Sequence, residues 1–131
     1  MAYYGFAKHL PASTSPKTYW ARSIRRVICH SLFDHCGKNE NIEQGARFAT
    51  GFSILIGSGS GLGVNASVNG LLLIGENVKM GPDVTILSQT HIIDRVDIPM
   101  GQQGMREAEV VVGNDVWIGM RVGIMPGVKV G

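Results

Sequence analysis

A recurrence of six residues constrains this chain more than any other feature. Counting from Ile56 in sixes gives Ile56, Leu62, Val68, Ile74, Met80 and Ile86, all aliphatic or methionine. The series resumes as Val112, Ile118, Ile124 and Val130. The next residue is Gly57, Gly63, Gly75, Gly81, Gly113, Gly119 or Gly131, the exceptions being Asn69, Leu87 and Met125. A second apolar column lies two residues earlier: Ile42, Phe48, Ile54, Ala66, Leu72, Val78 and Val84, then Val110, Val116, Val122 and Val128. Residues two apart point to the same side of a strand. Each hexad therefore reads as a short strand burying two side chains, followed by a corner that suits glycine.

Neither a helical period of 3.6 nor simple alternation produces such a recurrence. It predicts an all-β fold, a parallel β-helix of hexapeptide repeats, with three hexads to a coil. Residues eighteen apart then stack, Ile56 on Ile74, Leu62 on Met80 and Val68 on Ile86. The 18 glycines, about twice the usual share of roughly 7%, fit many tight corners, and only 5 prolines accompany them. At 131 residues the chain makes one such domain, residues 37–131, behind an N-terminal segment, residues 1–36.

A formal charge of +2 without a basic stripe excludes a nucleic-acid partner. No apolar run reaches the roughly 18 residues of a membrane span. The opening MAYYGFAKHLPASTSPK lacks the apolar core of a signal peptide, which predicts a cytoplasmic location, and Cys29 and Cys36 fit a reduced compartment. Residues 1–16 read as irregular. Residues 17–34 carry Trp20, Ile24, Val27, Ile28 and Leu32 at helical spacing, with Ser15 as cap, Pro16 at the first position and Arg22, Arg25 and Arg26 on a solvated basic face. Cys29-His30 and His35-Cys36 suggest zinc. On a helix, however, the cysteines fall within about 20° of each other and the histidines about 140° apart, so the four do not converge and no metal is expected.

The strings IGENVKMGPDV and VVGNDVWIGMRVGIMPGVKVG resemble the hexapeptide-repeat acyltransferase superfamily, nearest to the acetyltransferases of galactosides, maltose and bacterial surface polysaccharides. CGKNENIEQGARFATG is similar to the lead-in of the polysaccharide-modifying branch, so the likeness spans roughly residues 36–131. It implies left-handed winding, acetyl-CoA as co-substrate without a metal, a sugar hydroxyl as acceptor and a homotrimer with its active site between subunits.

The repeat breaks once, after Ile86, and residues 88–109 contain no hexad. This predicts an extruded loop with His91 at its base, and a solenoid carries function at such an interruption. Moving acetyl from a thioester to a hydroxyl needs a base, and imidazole can accept and return a proton near neutral pH. The resemblance makes His91 that base. Ser88 lies nearby without an activating partner, so no acyl-enzyme is expected. The oxyanion donor would be the Met120 amide just after Gly119, and Trp117 would border the channel. Asp94 and Asp97 would orient His91 or bind acceptor hydroxyls. Asn65, Asn69 and Asp83 are further acceptor-binding candidates, Asn69 being alternatively a left-handed corner residue. Gln103, Gly104 and Arg106 match a loop that in the polysaccharide branch reaches an adjoining subunit.

Family members continue past the point where this chain ends, inside a hexad at Gly131, so a truncated chain with an incomplete donor site is expected. Amino-sugar or serine-type acceptors and a non-catalytic β-helix are the alternatives. A γ-class carbonic anhydrase needs three converging histidines, whereas the coils hold only His91. Ice binding would show threonine ladders, and none is present.

Overall fold

A computed structural model describes residues 2–131; Met1, where the expected irregular segment begins, lies outside the described residues. Helix α1 (Ala2–Gly5) and two 3-10 turns, Ala7–His9 and Pro16–Thr18, precede helix α2 (Tyr19–Leu32). The strands before the break are β1 (His35–Cys36), β2 (Asn41–Ile42), β3 (Ile54–Ile56), β4 (Gly61–Leu62), β5 (Ser67–Asn69), β6 (Leu72–Ile74), β7 (Lys79–Met80) and β8 (Thr85–Leu87). An excursion carries β9 (Gln89–His91) and β10 (Met105–Glu107), and β11 (Val110–Val112), β12 (Trp117–Ile118), β13 (Gly123–Ile124) and β14 (Lys129–Val130) complete the chain.

Successive strands lie on successive faces of a three-sided coil. One face stacks β1, β3, β6, β11 and β14; a second is built from the pairs β2–β4 and β7–β12; the third stacks β5, β8 and β13. Every ladder among these strands is parallel. Ile56 pairs with Ile74 and Val68 with Ile86, eighteen apart as the repeat predicts. Beyond the break Ile74 pairs with Val112 and Ile86 with Ile124, thirty-eight apart, so the excursion inserts twenty residues and the register resumes. The interior is a column of Ile54, Ile56, Leu62, Leu72, Val78, Val84, Ile86 and Val110, each at most 1% exposed. Each such side chain contributes about 1.5–3 kcal/mol of burial. Val122 and Val128, in the last coil, are 38% and 40% exposed.

Three expectations change. The first coil is twenty residues long: Ile42 pairs with Leu62 and Arg47 bridges Ser67. Ile42 and Phe48 therefore belong to the Ile56 column rather than the Ile54 column, two extra residues being absorbed near Ala49 and Gly51, both at positive φ. The column glycines are not the left-handed corners. Those corners lie two residues later, at Gly59, Asn65, Asn77, Asp83, Asp115 and Arg121. Gly57 and Gly63 are instead required by close approach: a Cβ would fall 2.5 Å from Gly75 O and 2.2 Å from Gly81 O. Finally, residues 2–9 are largely helical, because Tyr3 and Tyr4 anchor them to the first coil. Tyr3 Oη donates to Ala46 O at 2.8 Å, and Phe48 N donates to Tyr4 Oη at 3.0 Å.

Ser15 caps the turn beginning at Pro16, as its sequence position suggests, accepting from Lys17 N. Helix α2, however, buries Ala21, Arg25 and Cys29 and leaves Trp20 and Val27 51% and 67% exposed. Arg25 is thus not on a solvated face. Its Nε donates to Ile42 O, its Nη1 donates to Leu10 O and Pro11 O at 3.0 Å, and its Nη2 lies 3.6 Å from Glu43 Oε2. Those acceptors ring the mouth of the coil, and a guanidinium's planar array of donors can serve several of them at once. Burial pushes the Glu43 carboxyl up. Hydrogen bonds from Ser13 and Asn41 and the charge of Arg25 outweigh it and hold Glu43 below the usual carboxylate range.

Arg25→Ala should cost about 3–5 kcal/mol in denaturant unfolding, because it leaves three carbonyls without their donor and Glu43 without its counter-charge at a buried junction. Glu43 has a lowered folded pKa, so its contribution is complete above the ordinary glutamate pKa and is lost as pH falls through the lowered value. Unfolding of the Glu43→Gln variant across that acid range should show a correspondingly shallower pH dependence.

Candidate active site

The excursion is a hairpin arm rather than an irregular loop. β9 and β10 pair antiparallel, with His91 opposite Met105, Thr90 opposite Arg106 and Gln89 opposite Glu107. Its root is anchored in the coil: Ser88 is buried, its Oγ donates to Leu71 O at 2.6 Å, and Ala108 N donates to Ser88 O at 2.8 Å. That bond commits the Ser88 hydroxyl to structure. Gln103 organises the tip, accepting from Arg95 N and donating to Arg95 O and Ile98 O.

His91 is the last residue of β9, exposed, and its ring has no hydrogen-bond partner among the described residues. The expected orienting role of Asp94 and Asp97 is not seen within the chain. Asp94 pairs with Arg106 Nη2 at 2.6 Å, and Asp97 pairs with Arg95. The Arg95 hydrogen bonds hold Asp97 below its usual range. Both carboxylates find arginines on their own arm, and these neutralise them more directly than an imidazole three or six residues away.

Trp117 is 81% exposed on β12, beside Lys79 of β7. Gly119 follows that strand, and Met120 begins the next corner, 59% exposed. Among the described residues no backbone acceptor takes the Met120 N–H. A Cβ on Gly119 would meet nothing within 4 Å, so the backbone here is open to an approaching group.

A separate groove of about 650 Å³ is lined by Lys8, His9, Arg47, Asn65, Ser67 and Asp83, among others. Asn65 and Asp83 are stacked left-handed corners, φ 57° and 58°, and Asn65 Nδ2 donates to Asp83 Oδ1 at 3.3 Å. Asn69 is not a left-handed corner: it ends β5, exposed, and Gly70 takes the positive φ of 97°. The groove brings Asn65 and Asp83 together but includes none of His91, Asn69, Asp94, Asp97 or Trp117. Arg47, Ser67 and Thr85 stack on one outward column; the eighteen-residue register relates Ser67 to Thr85, whereas Arg47 joins them only through the longer first coil. Lys8 and His9 carry no periodic signal. Among the described residues no helix is long and apolar enough to cross a membrane.

Comparison with known proteins places this arrangement. No family model matches the chain. The galactoside O-acetyltransferase of Escherichia coli K12 is 30% identical over 109 residues, 82% of this chain and 53% of that protein. A galactoside acetyltransferase solved in complex with coenzyme A superposes with a TM-score of 0.74 at 27% identity, covering 92% of this chain and 58% of that one. A maltose O-acetyltransferase from Clostridium difficile 630 superposes with a TM-score of 0.73 at 28% identity, covering 97% and 66%. The chain spans about half the length of the curated relatives it matches. Its relatives and structural neighbours are thus the galactoside, maltose and hexapeptide-repeat acetyltransferases that its motifs resemble.

The corner role of Asn65 and its contact to Asp83 separate experimentally. Asn65→Gly should leave the unfolding midpoint nearly unchanged, while Asn65→Ala should lose about 1–2 kcal/mol to the left-handed backbone. Equal losses in the two variants would mean that the amide contact to Asp83, not the backbone, is what matters.

Proposed function

We propose that the chain is an acetyl-CoA-dependent O-acetyltransferase acting on a sugar hydroxyl in surface polysaccharide synthesis, as its likeness to sugar O-acetyltransferases supports. The observation that carries the reading is His91, an exposed imidazole with no hydrogen-bond partner among the described residues, at the root of the twenty-residue insertion in a coil similar to galactoside and maltose acetyltransferases. On this reading the coil is a left-handed parallel β-helix, residues 37–131 behind the segment 1–36, and it works in the cytoplasm on polysaccharide precursors.

His91 takes the proton of the acceptor hydroxyl as that oxygen attacks the thioester carbonyl. The tetrahedral oxyanion is met by the free Met120 N–H beside Gly119. Collapse expels the thiolate of coenzyme A, which recovers the proton from the imidazolium, so protons and charge balance without an acyl-enzyme. Ser88 takes no part, consistent with its bond to Leu71. Asn69, Asp94 and Asp97 are polar contacts for the acceptor and Trp117 is an apolar wall. Asn65 and Asp83, whose groove excludes His91 within one chain, bind acceptor hydroxyls presented to the His91 of a second copy in the homotrimer. The hairpin arm, with Ile93 and Val96 68% and 103% exposed, packs on a second copy in a homotrimer, which encloses His91.

In an acetyl-CoA turnover screen of this protein against sugars, amino sugars and serine, simple sugars should be the best acceptors. His91→Ala should lower kcat by about 10²–10⁴-fold with an unchanged unfolding midpoint. Undiminished turnover would remove His91 from the mechanism. Preference for amino sugars or serine would move the acceptor class, and a monomer in sedimentation would remove the intersubunit site.

A further inference from the structure

The mouth of the coil holds a cluster that acetyl transfer does not use. The twenty-residue first coil sets Cys36 opposite Ile56 in the inward-facing column, and Glu40 lies two residues before Ile42, an inward position held by buried Ser60 in the next coil and by Val78 in the one after. Glu40 is 0% exposed, and neither of its carboxylate oxygens has a hydrogen-bond partner among the described residues. A carboxylate buried in this way is costly unless a cation meets it. Arg25, buried on α2, donates from Nε and Nη1 to three carbonyls, while its Nη2 makes no hydrogen bond among the described residues and stands 3.6 Å from Glu43 Oε2 as an ion pair.

What faces Glu40 is a pair of metal-ligand side chains. His30, in the last turn of α2, brings Nε2 to 2.5 Å from Glu40 Oε1 without hydrogen-bond geometry. The ligand atoms of His30, Cys36 and Glu40 all lie within 4.8 Å of one another. Cys29 and His35 are not part of this group, so the four-ligand set weighed from the sequence does not form. A different set of three does, completed by a glutamate that sequence spacing did not suggest.

We propose that His30, Cys36 and Glu40 form a zinc(II) site that fastens helix α2 to the first coil. One imidazole, one thiol and one carboxylate make a mixed donor set suited to zinc, whereas magnesium and calcium take oxygen ligands. Ligand atoms on one tetrahedral zinc stand on the order of 3.5 Å apart, so small side-chain rotations close the site. Binding releases the thiol proton to solvent and uses neutral imidazole. A surface depression lined by Arg26, Val27, His30, Gly37, Lys38 and Asn39 reaches the site from its His30 side, and water would supply a fourth ligand.

The test uses chelator-treated protein titrated with zinc and, separately, with cobalt(II). The expected result is one ion per chain, a rise in the unfolding midpoint with zinc, and a thiolate-to-cobalt charge-transfer band in the near ultraviolet. Cys36→Ser and His30→Asn should each weaken binding by at least about 10-fold, the scale on which even supporting residues affect metal sites. Glu40→Val, which puts an aliphatic residue in the column, should raise the metal-free midpoint and abolish the zinc-dependent rise. Folded wild-type protein that takes up no stoichiometric zinc, or whose cobalt spectrum lacks the thiolate band, would overturn the site. So would zinc affinity unchanged in both Cys36→Ser and Glu40→Val.

Discussion

The coils of this protein stack so closely at their glycine columns that backbone meets backbone. A methyl group at Gly63 would overlap the carbonyl oxygen of Gly81, and one at Gly75 would fall 2.8 Å from that of Gly113. This proximity lets short strands of two or three residues pair in register through successive turns, because each strand is held from above and below. Side chains of the two aliphatic columns then fill a narrow interior without a second layer of structure. The hairpin arm and the outward groove both take their positions from that stack.

Much of this was readable from periodicity, since a side chain that must point inward every six residues leaves a regular trace. Ile56, Ile74 and Val112 share one ladder, as counting predicts. Periodicity is ambiguous where it can be counted in two ways. Ile42 and Phe48 are apolar in either column, so nothing in their chemistry revealed the two extra residues of the first coil. It is ambiguous also at the corners, where glycine serves two needs. Gly57 permits close approach, whereas Gly59 permits a positive φ, and composition alone does not distinguish them.

The site divides along the same line. His91 stood out because it interrupts a pattern, and the hairpin places it at an exposed position close to the coil. Asp94 and Asp97 had no pattern to locate their partners, and the arm folds each onto an arginine. Helix α2 shows the limit of amphipathic reasoning most directly. Ile24, Ile28 and Leu32 pack against the core as their spacing suggests, but Trp20 and Val27 stay exposed, while Arg25 turns inward because carbonyls and Glu43 need a donor there. Hydrogen-bond demand outweighed hydrophobicity on that face.

The root of the hairpin arm has an evolutionary corollary. Ser88 and Ala108 close the mouth of a twenty-residue insertion with a hydrogen bond, and the coil on either side pairs as though the insertion were absent. The entropy of closing such a loop grows only with the logarithm of its length, about 0.6 kcal/mol for each doubling. The arm is therefore a replaceable cassette. Lineages built on this scaffold can lengthen, shorten or exchange it while the stacked coils keep their register, so what the arm touches can diversify much faster than the framework that presents it.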